Sequence, residues 1–328
     1  MRIPKISYLF ISALLLSVSC SKDSETDSDK ENSQAGGPDS ENPETGKPET
    51  GNANKAKAQQ LYADYYKASQ NTESDISWTG SVPECRPGTV PQETLEKIFL
   101  RLSYFRKAVG LNNGIANNTT KSEKAQKAAL MTHANGTLEH YPPSDWKCFT
   151  ADGDEAAGKS LLTTTKNAAA IDSYIRDQGS DNYPVGHRRW LLWPRLQEIG
   201  VGNTSSYNAM WVIGNPGTRP ADTPEFIAWP PQGYLPKQLA YPRWSFSIAK
   251  ADFENTEISM RVKNGENIAL EIEELTGIYG DNTIVWGPDV NTNALTEDTT
   301  YTISLNNVVI EGSLKDFEYE VTLFDVSQ

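Results

Sequence analysis

This 328-residue sequence predicts an α+β protein with two folded parts, and three observations carry the prediction. Residues 1–54 hold a leader and a polar, acidic stretch, neither able to supply a core. From about Ala56 to Gly214 apolar residues recur at helical spacing, with short extended pieces late in the stretch. From Phe226 onward the period drops to two. The boundaries read as 1–19 leader, 20–54 tether, 55–222 helix-rich domain and 223–328 all-β domain.

The leader begins with Arg2 and Lys5 and continues as "ISYLFISALLLSVS", an apolar run too short for a comfortable membrane span, up to Cys20. That is a secretory signal, removed before folding. Ending at cysteine, it resembles a bacterial lipoprotein signal, which implies that Cys20 becomes a lipidated N-terminus holding the protein on a membrane surface. The expected place is the cell envelope of a bacterium, at the outer membrane or cell surface. No later run is long and apolar enough to span a bilayer. Ser21 to Asn52 carries nine acids and three lysines, a net charge of −6 out of −13 for the chain, with "PETG" at Pro43 and again at Pro48. Without aromatic or branched apolar residues it reads as a solvated tether. An acidic run after such a cysteine also resembles surface-export signals of Bacteroidetes lipoproteins, with a plain spacer as the alternative. So acidic a chain excludes nucleic acid as a partner.

In the helical part, "TLEKIFLRLSYFRKAVG" puts Leu95, Ile98, Phe99, Leu102 and Phe105 on one stripe and ends at Gly110. "KSEKAQKAALMTHANG" starts at a candidate cap, Ser122, and stops at Asn135-Gly136. "NAAAIDSYIRDQG" places Ala168, Ile171, Tyr174 and Ile175 together and ends at Gly179. "EIGVG" and "NAMWVIG" are extended, so helices pack on the faces of a sheet. "AWPPQGYLP" marks the junction. Beyond it Ile258, Met260 and Val262 alternate, as do Ile268, Leu270 and Ile272, with the hairpin signal Asn264-Gly265 between them. "TIVW", "TYTISL", "NVVI" and "FEYEVTLF" continue in the same period, which predicts a β-sandwich of immunoglobulin-like type.

Three cysteines and three histidines bound the chemistry. With Cys20 assigned to lipid, Cys85 and Cys148 in an exported chain most simply form one disulfide. His187 sits in "YPVGHRRWLLWP", between a glycine and two arginines. The apolar run behind it reads as a core strand or turn, with His187 at a loop-to-strand corner. His133 reads as a surface or packed residue. Neither Ser144 nor Ser160 lies in a nucleophile motif.

"LRLSYFRKAVGL", "AQKAALMTHANGTLEHYPP" and "AIDSYIRDQGSDNYPVGHRRWLL", in that order, resemble the CAP superfamily over about residues 56 to 220, most closely bacterial members carrying "GHRRWLL". The resemblance implies an α/β/α sandwich, an extracellular location and a cleft with two histidines and two acids. His140 and His187 match the histidines, and Asp177 matches one acid. Lys159 stands where the other would be.

His140 and His187 could hold Zn²⁺ or another divalent cation weakly, with Asp177 adding an oxygen; a hydrogen-bonded pair on the cleft wall is the alternative. Glu139 is a candidate to orient His140. Arg188 and Arg189 read as an anion clamp lining the cleft or, preferably, as internal salt bridges to Asp172, Asp177 or Glu198. The preferred function is a non-catalytic binding module for a lipid, glycan or protein ligand. A metal-dependent hydrolase and an adhesive surface protein are the alternatives.

Overall fold

The computed structural model describes residues 52–72, 78–179, 182–275 and 279–327. The leader, Cys20 and the tether up to residue 51 lie outside the described residues. The tether ends earlier than the predicted boundary at residue 54. Asn52 is fully buried, and its carbonyl accepts from Tyr234 N at 2.9 Å. Gly233 makes room for it, since an added Cβ would sit 2.2 Å from that carbonyl oxygen. Asn54 then caps α1 (Lys55–Leu61), accepting from Lys57 N at 2.9 Å. Removing the chain through residue 51 is expected to leave the melting temperature unchanged. Removal through Asn54 costs about 1–2 kcal/mol, the worth of one cap and one β-type bond. Thermal melts of the two truncations check this.

Three layers follow. One holds α2 (Gln92–Ala108), whose Ile98, Leu102 and Phe105 are buried as the stripe requires, together with α5 (Ala169–Arg176). The middle layer is a sheet of β1 (Ala116–Asn117), β2 (Ser160–Thr163), β3 (Glu198–Asn203) and β4 (Asn208–Trp211), in the order β1-β3-β4-β2. Only the β1–β3 pair is parallel. The third layer holds α3 (Thr119–Asn135) and α4 (Ala151–Ala157). Strand alternation sorts side chains between the two cores: Leu161, Ile199, Val201 and Met210 join α2 and α5, while Leu162, Ala209 and Trp211 join the alanines of α3 and α4. Gly200 and Gly202 let α3 lie against the sheet, because an added Cβ would come within 2.4 and 2.1 Å of the helix backbone. The cap of α3 is Asn118 rather than Ser122. Ser122 instead accepts from Val201 N at 2.9 Å, fastening helix to sheet. α5 ends not at Gly179 but at Asp177, which is left-handed at φ 51°. "GHRRWL" is neither strand nor turn but the helix α6 (Gly186–Leu191). Cys85 and Cys148 are joined, tying the segment before α2 to the loop before α4.

The C-terminal part is a β-sandwich. One sheet contains β5 (Ile227–Trp229), β7 (Trp244–Ile248), β10 (Leu270–Ile272) and β11 (Asn282–Pro288), in the order β10-β11-β7-β5. The other contains β6 (Gly233–Pro236), β8 (Ala251–Asp252), β9 (Glu257–Val262), β12 (Thr299–Ile310) and β13 (Ser313–Phe324), in the order β6-β13-β12-β8 with β9 also on β12. Rings from β7 meet rings of the facing sheet: Phe246 lies 5.2 Å from Phe317, and Trp244 lies 6.0 Å from Tyr301. The Asn264-Gly265 turn forms, with Asn264 at φ 59°, but the hairpin does not extend. After the Arg261–Asn267 bridge the chain crosses over and β10 joins the other sheet. "TYTISL" and "NVVI" are one strand, bulged between Leu305 and Val308.

The junction segment is core, not spacer. Trp229 is fully buried and its ring lies 5.1 Å from Phe105 of α2. One hydrophobic core runs through both parts, which belong to a single compact unit. Both parts are therefore expected to unfold in one calorimetric transition.

Candidate functional site

His187 owes its place to Asp177. Val185, the residue before α6, has no side-chain oxygen with which to cap the helix. The buried carboxylate at the end of α5 does so instead: Asp177 Oδ2 accepts from His187 N at 2.9 Å and from Arg188 N at 3.4 Å. A negative charge there also suits the helix dipole. The other oxygen, Oδ1, lies 3.0 Å from His187 Nδ1, close to it but outside hydrogen-bond alignment. The edge of Tyr174 packs on the imidazole with centroids 5.4 Å apart. Gly186 leaves room for the Tyr279 ring, which an added Cβ would meet at 3.2 Å.

His140 follows α3 on a loop and is held from the other side. Its Nδ1 lies 2.9 Å from the Ala157 carbonyl at the end of α4. A carbonyl only accepts, so this nitrogen carries the proton, and Nε2 of the neutral ring is an acceptor. The carboxylate beside His187 Nδ1 favours the same tautomer there. Neither Nε2 has a hydrogen-bond partner among the described residues.

The two histidines line one cavity of about 340 Å³. Leu161, Trp190, Ile213 and Tyr279 make its apolar walls. Ser160 Oγ and the Tyr183 hydroxyl also belong to the lining, and both are buried without partners. Burial, with Glu274 and Glu273 nearby, pushes the Tyr183 hydroxyl upward, so it stays neutral and can donate. Tyr279 has no motif to mark it and comes from the far half of the chain. The sequence marks Ser160 only as lacking a nucleophile motif, and Tyr183 stands in the His187 stretch without a role of its own; the fold gives both a place in the lining.

Several expected neighbours stand elsewhere. Arg188 does not line the cleft: it is 1 % exposed and its guanidinium serves backbone carbonyls, not an anion or an internal acid. Arg189 turns to the Asp281 carbonyl and the Tyr279 ring. Lys159 binds Glu155 at 2.8 Å and lies over Trp211, outside the cavity lining. Glu139 accepts from Tyr141 N and leaves the orientation of His140 to Ala157. His133 is packed between Trp78 and Tyr207, away from the cleft.

A metal held by protein wants three or four donors. The cavity supplies two imidazole nitrogens. Asp177 also belongs to the lining, but its Oδ2 is spent on the α6 backbone and its Oδ1 faces His187 Nδ1. Among the described residues no three His, Cys, Asp or Glu side chains are grouped to share an ion. The donor set does not fit a resident metal.

Residues 100–213 match the family model of the cysteine-rich secretory proteins, CAP. This stretch is a CAP domain. The match runs from inside α2 to just past β4 and takes in both histidines and Asp177. CAP domains are usually extracellular, and among the described residues no helix is long and apolar enough to cross a membrane. A search of curated proteins finds no match to the chain. The β-sandwich lies beyond the matched CAP residues, yet through Tyr279 it forms one wall of the CAP cleft.

Proposed function

We propose that the chain is an extracellular binding protein, anchored by lipid at Cys20 to the bacterial envelope, whose CAP cleft takes a small amphiphile by a hydrogen-bond-donating head. The immunoglobulin-like sandwich completes the cleft rather than acting as a separate adhesive module. One observation carries the reading. His140 Nδ1 is held by the Ala157 carbonyl at 2.9 Å and His187 Nδ1 lies 3.0 Å from the Asp177 carboxylate, so each Nε2 is left as an acceptor in a cavity also lined by Leu161, Trp190, Ile213 and Tyr279. An amine or ammonium head has N–H donors enough for both acceptors, a hydroxyl donates to one of them, and the apolar walls match a hydrocarbon body.

Binding is favoured over hydrolysis on chemical grounds. Ser160 Oγ has no hydrogen bond to either imidazole, so no nucleophile stands activated by a base. The same two nitrogens attract zinc only weakly, on the order of micromolar or worse, for want of further donors. His140→Ala or His187→Ala abolishes that affinity and His133→Ala spares it, as titration calorimetry would read.

Tryptophan fluorescence of the full chain titrated with 1-decanol, decylamine and decanoate tests the main reading. Decanol and decylamine are expected to bind at least roughly tenfold tighter than decanoate, the factor that about 1.4 kcal/mol of head-group recognition gives. His140→Phe and His187→Phe each lose the preference. Equal affinity for all three heads, or indifference to both changes, contradicts it.

A further inference from the structure

A larger hollow of about 1120 Å³ opens beside the histidine cleft, and His187 and Asn182 stand in the walls of both. Its character is different. The wall is built from short hydroxyl and amide side chains, among them Gln70, Asn71, Thr164, Gln178 and Ser206. Asn71 Oδ1 is used by Ala168 N at 3.0 Å, but its Nδ2 is buried without a partner. Two cations, Lys166 and Arg176, complete the wall, and neither has an ion pair among the described residues. The acid in the lining is already neutralised: Asp172 is ion-paired with Arg101 and accepts from the hydroxyls of Tyr66 and Tyr241 at 2.7 and 3.2 Å.

We propose that this groove binds a polysaccharide bearing uronic-acid carboxylates. The hydroxyl and amide wall can both donate to and accept from sugar hydroxyls. Lys166 offers a point charge and Arg176 a fork for carboxylates. A neutral glycan fits less well, because it wants an open aromatic face. The one aromatic ring in the lining, Tyr66, is covered by Tyr62 stacked at 5.0 Å and by the Arg101 guanidinium at 3.8 Å. An acidic peptide would pair with a free strand edge. The edge strand here is β2, and α5 lies against it, the Tyr174 hydroxyl donating to Leu161 O at 3.0 Å. The chain's net charge of −13 repels polyanions elsewhere, so binding localises to the cationic groove.

The test uses the full chain in calorimetry with oligogalacturonate, neutral dextran and polyglutamate. Oligogalacturonate is expected to bind, dextran not to, and polyglutamate to bind at least tenfold more weakly, about 1.4 kcal/mol. Lys166→Gln with Arg176→Gln lowers the oligogalacturonate affinity by about tenfold or more, and added salt weakens the wild type. Lys263→Gln on the sandwich removes the same type of charge without effect. Unchanged melting temperatures show that the variants fold, as expected for cations without ion pairs. Absence of oligogalacturonate binding, binding indifferent to the double change, or equal binding of polyglutamate overturns the proposal. Decanol binding read on the same samples separates this groove from the histidine cleft.

Discussion

Replacing Arg188 with alanine is expected to destabilise the protein by about 3–5 kcal/mol, the range for removing one partner from a buried charged network. Its side chain ties three segments together: Nε donates to Ile175 O at 2.6 Å, Nη1 to Arg243 O at 2.7 Å and Ser245 Oγ at 3.1 Å, and Nη2 to Arg176 O at 3.3 Å. Burial pushes the guanidinium down to about 10, with the Asp177 charge opposing the shift, so it remains charged at neutral pH. Alanine leaves these carbonyls buried without a donor and removes a cation from beside Asp177. Because Arg188 reaches from α6 into the β7 strand, CAP domain and sandwich loosen together. The melting temperature should fall by roughly 10 °C. Arg188→Lys recovers little, since one nitrogen cannot serve groups on both α5 and the β7 strand. A loss below about 1 kcal/mol would mean that the carbonyls find other partners.

Cys148→Ser is expected to cost about 4 kcal/mol in chain-entropy terms, because the bond closes a loop with a sequence separation of 63. Function should follow stability here. Cys148 lies between the His140 loop and α4, whose Ala157 carbonyl fixes His140. Without the bond that loop gains freedom and the imidazole loses its fixed tautomer, so decanol affinity falls as well. Denaturant melts of the oxidised protein with and without reductant, paired with fluorescence titrations, check both parts. An unchanged midpoint after reduction would refute the role of the bond.

How much of this was legible depends on how local each cause is. The α2 stripe and the alternation of β9 are local patterns, and the fold obeys them; β11 instead buries Thr283 to Trp286 in succession. α6 is a helix where the sequence predicts a core strand or turn, because its six residues are too few to show a helical period. Burial of Arg188 becomes affordable only through carbonyls of α5 and the sandwich, which no window of sequence contains. Ser122 has the chemistry of a cap, but Asn118 reaches Lys121 N first and the serine is spent on Val201. The Asn264-Gly265 turn was read correctly and its continuation was not, since a turn fixes only the next bridge, and the sheet that receives β10 is a tertiary matter. In the site, both histidines and Asp177 were named from motifs. The office of Asp177 as the cap of α6, and the approach of Tyr279, depend on segments meeting in space.

The central claim is that His140 and His187 offer matching acceptors to one ligand head. Three histidines in the chain make long-range ¹⁵N–¹H spectra of the side chains readable. The account predicts Nδ1–H tautomers for His140 and His187, and a shift of both Nε2 resonances when decylamine is added, with His133 unmoved. An Nε2–H tautomer at either cleft histidine, or decylamine binding that leaves either Nε2 resonance in place, would contradict it.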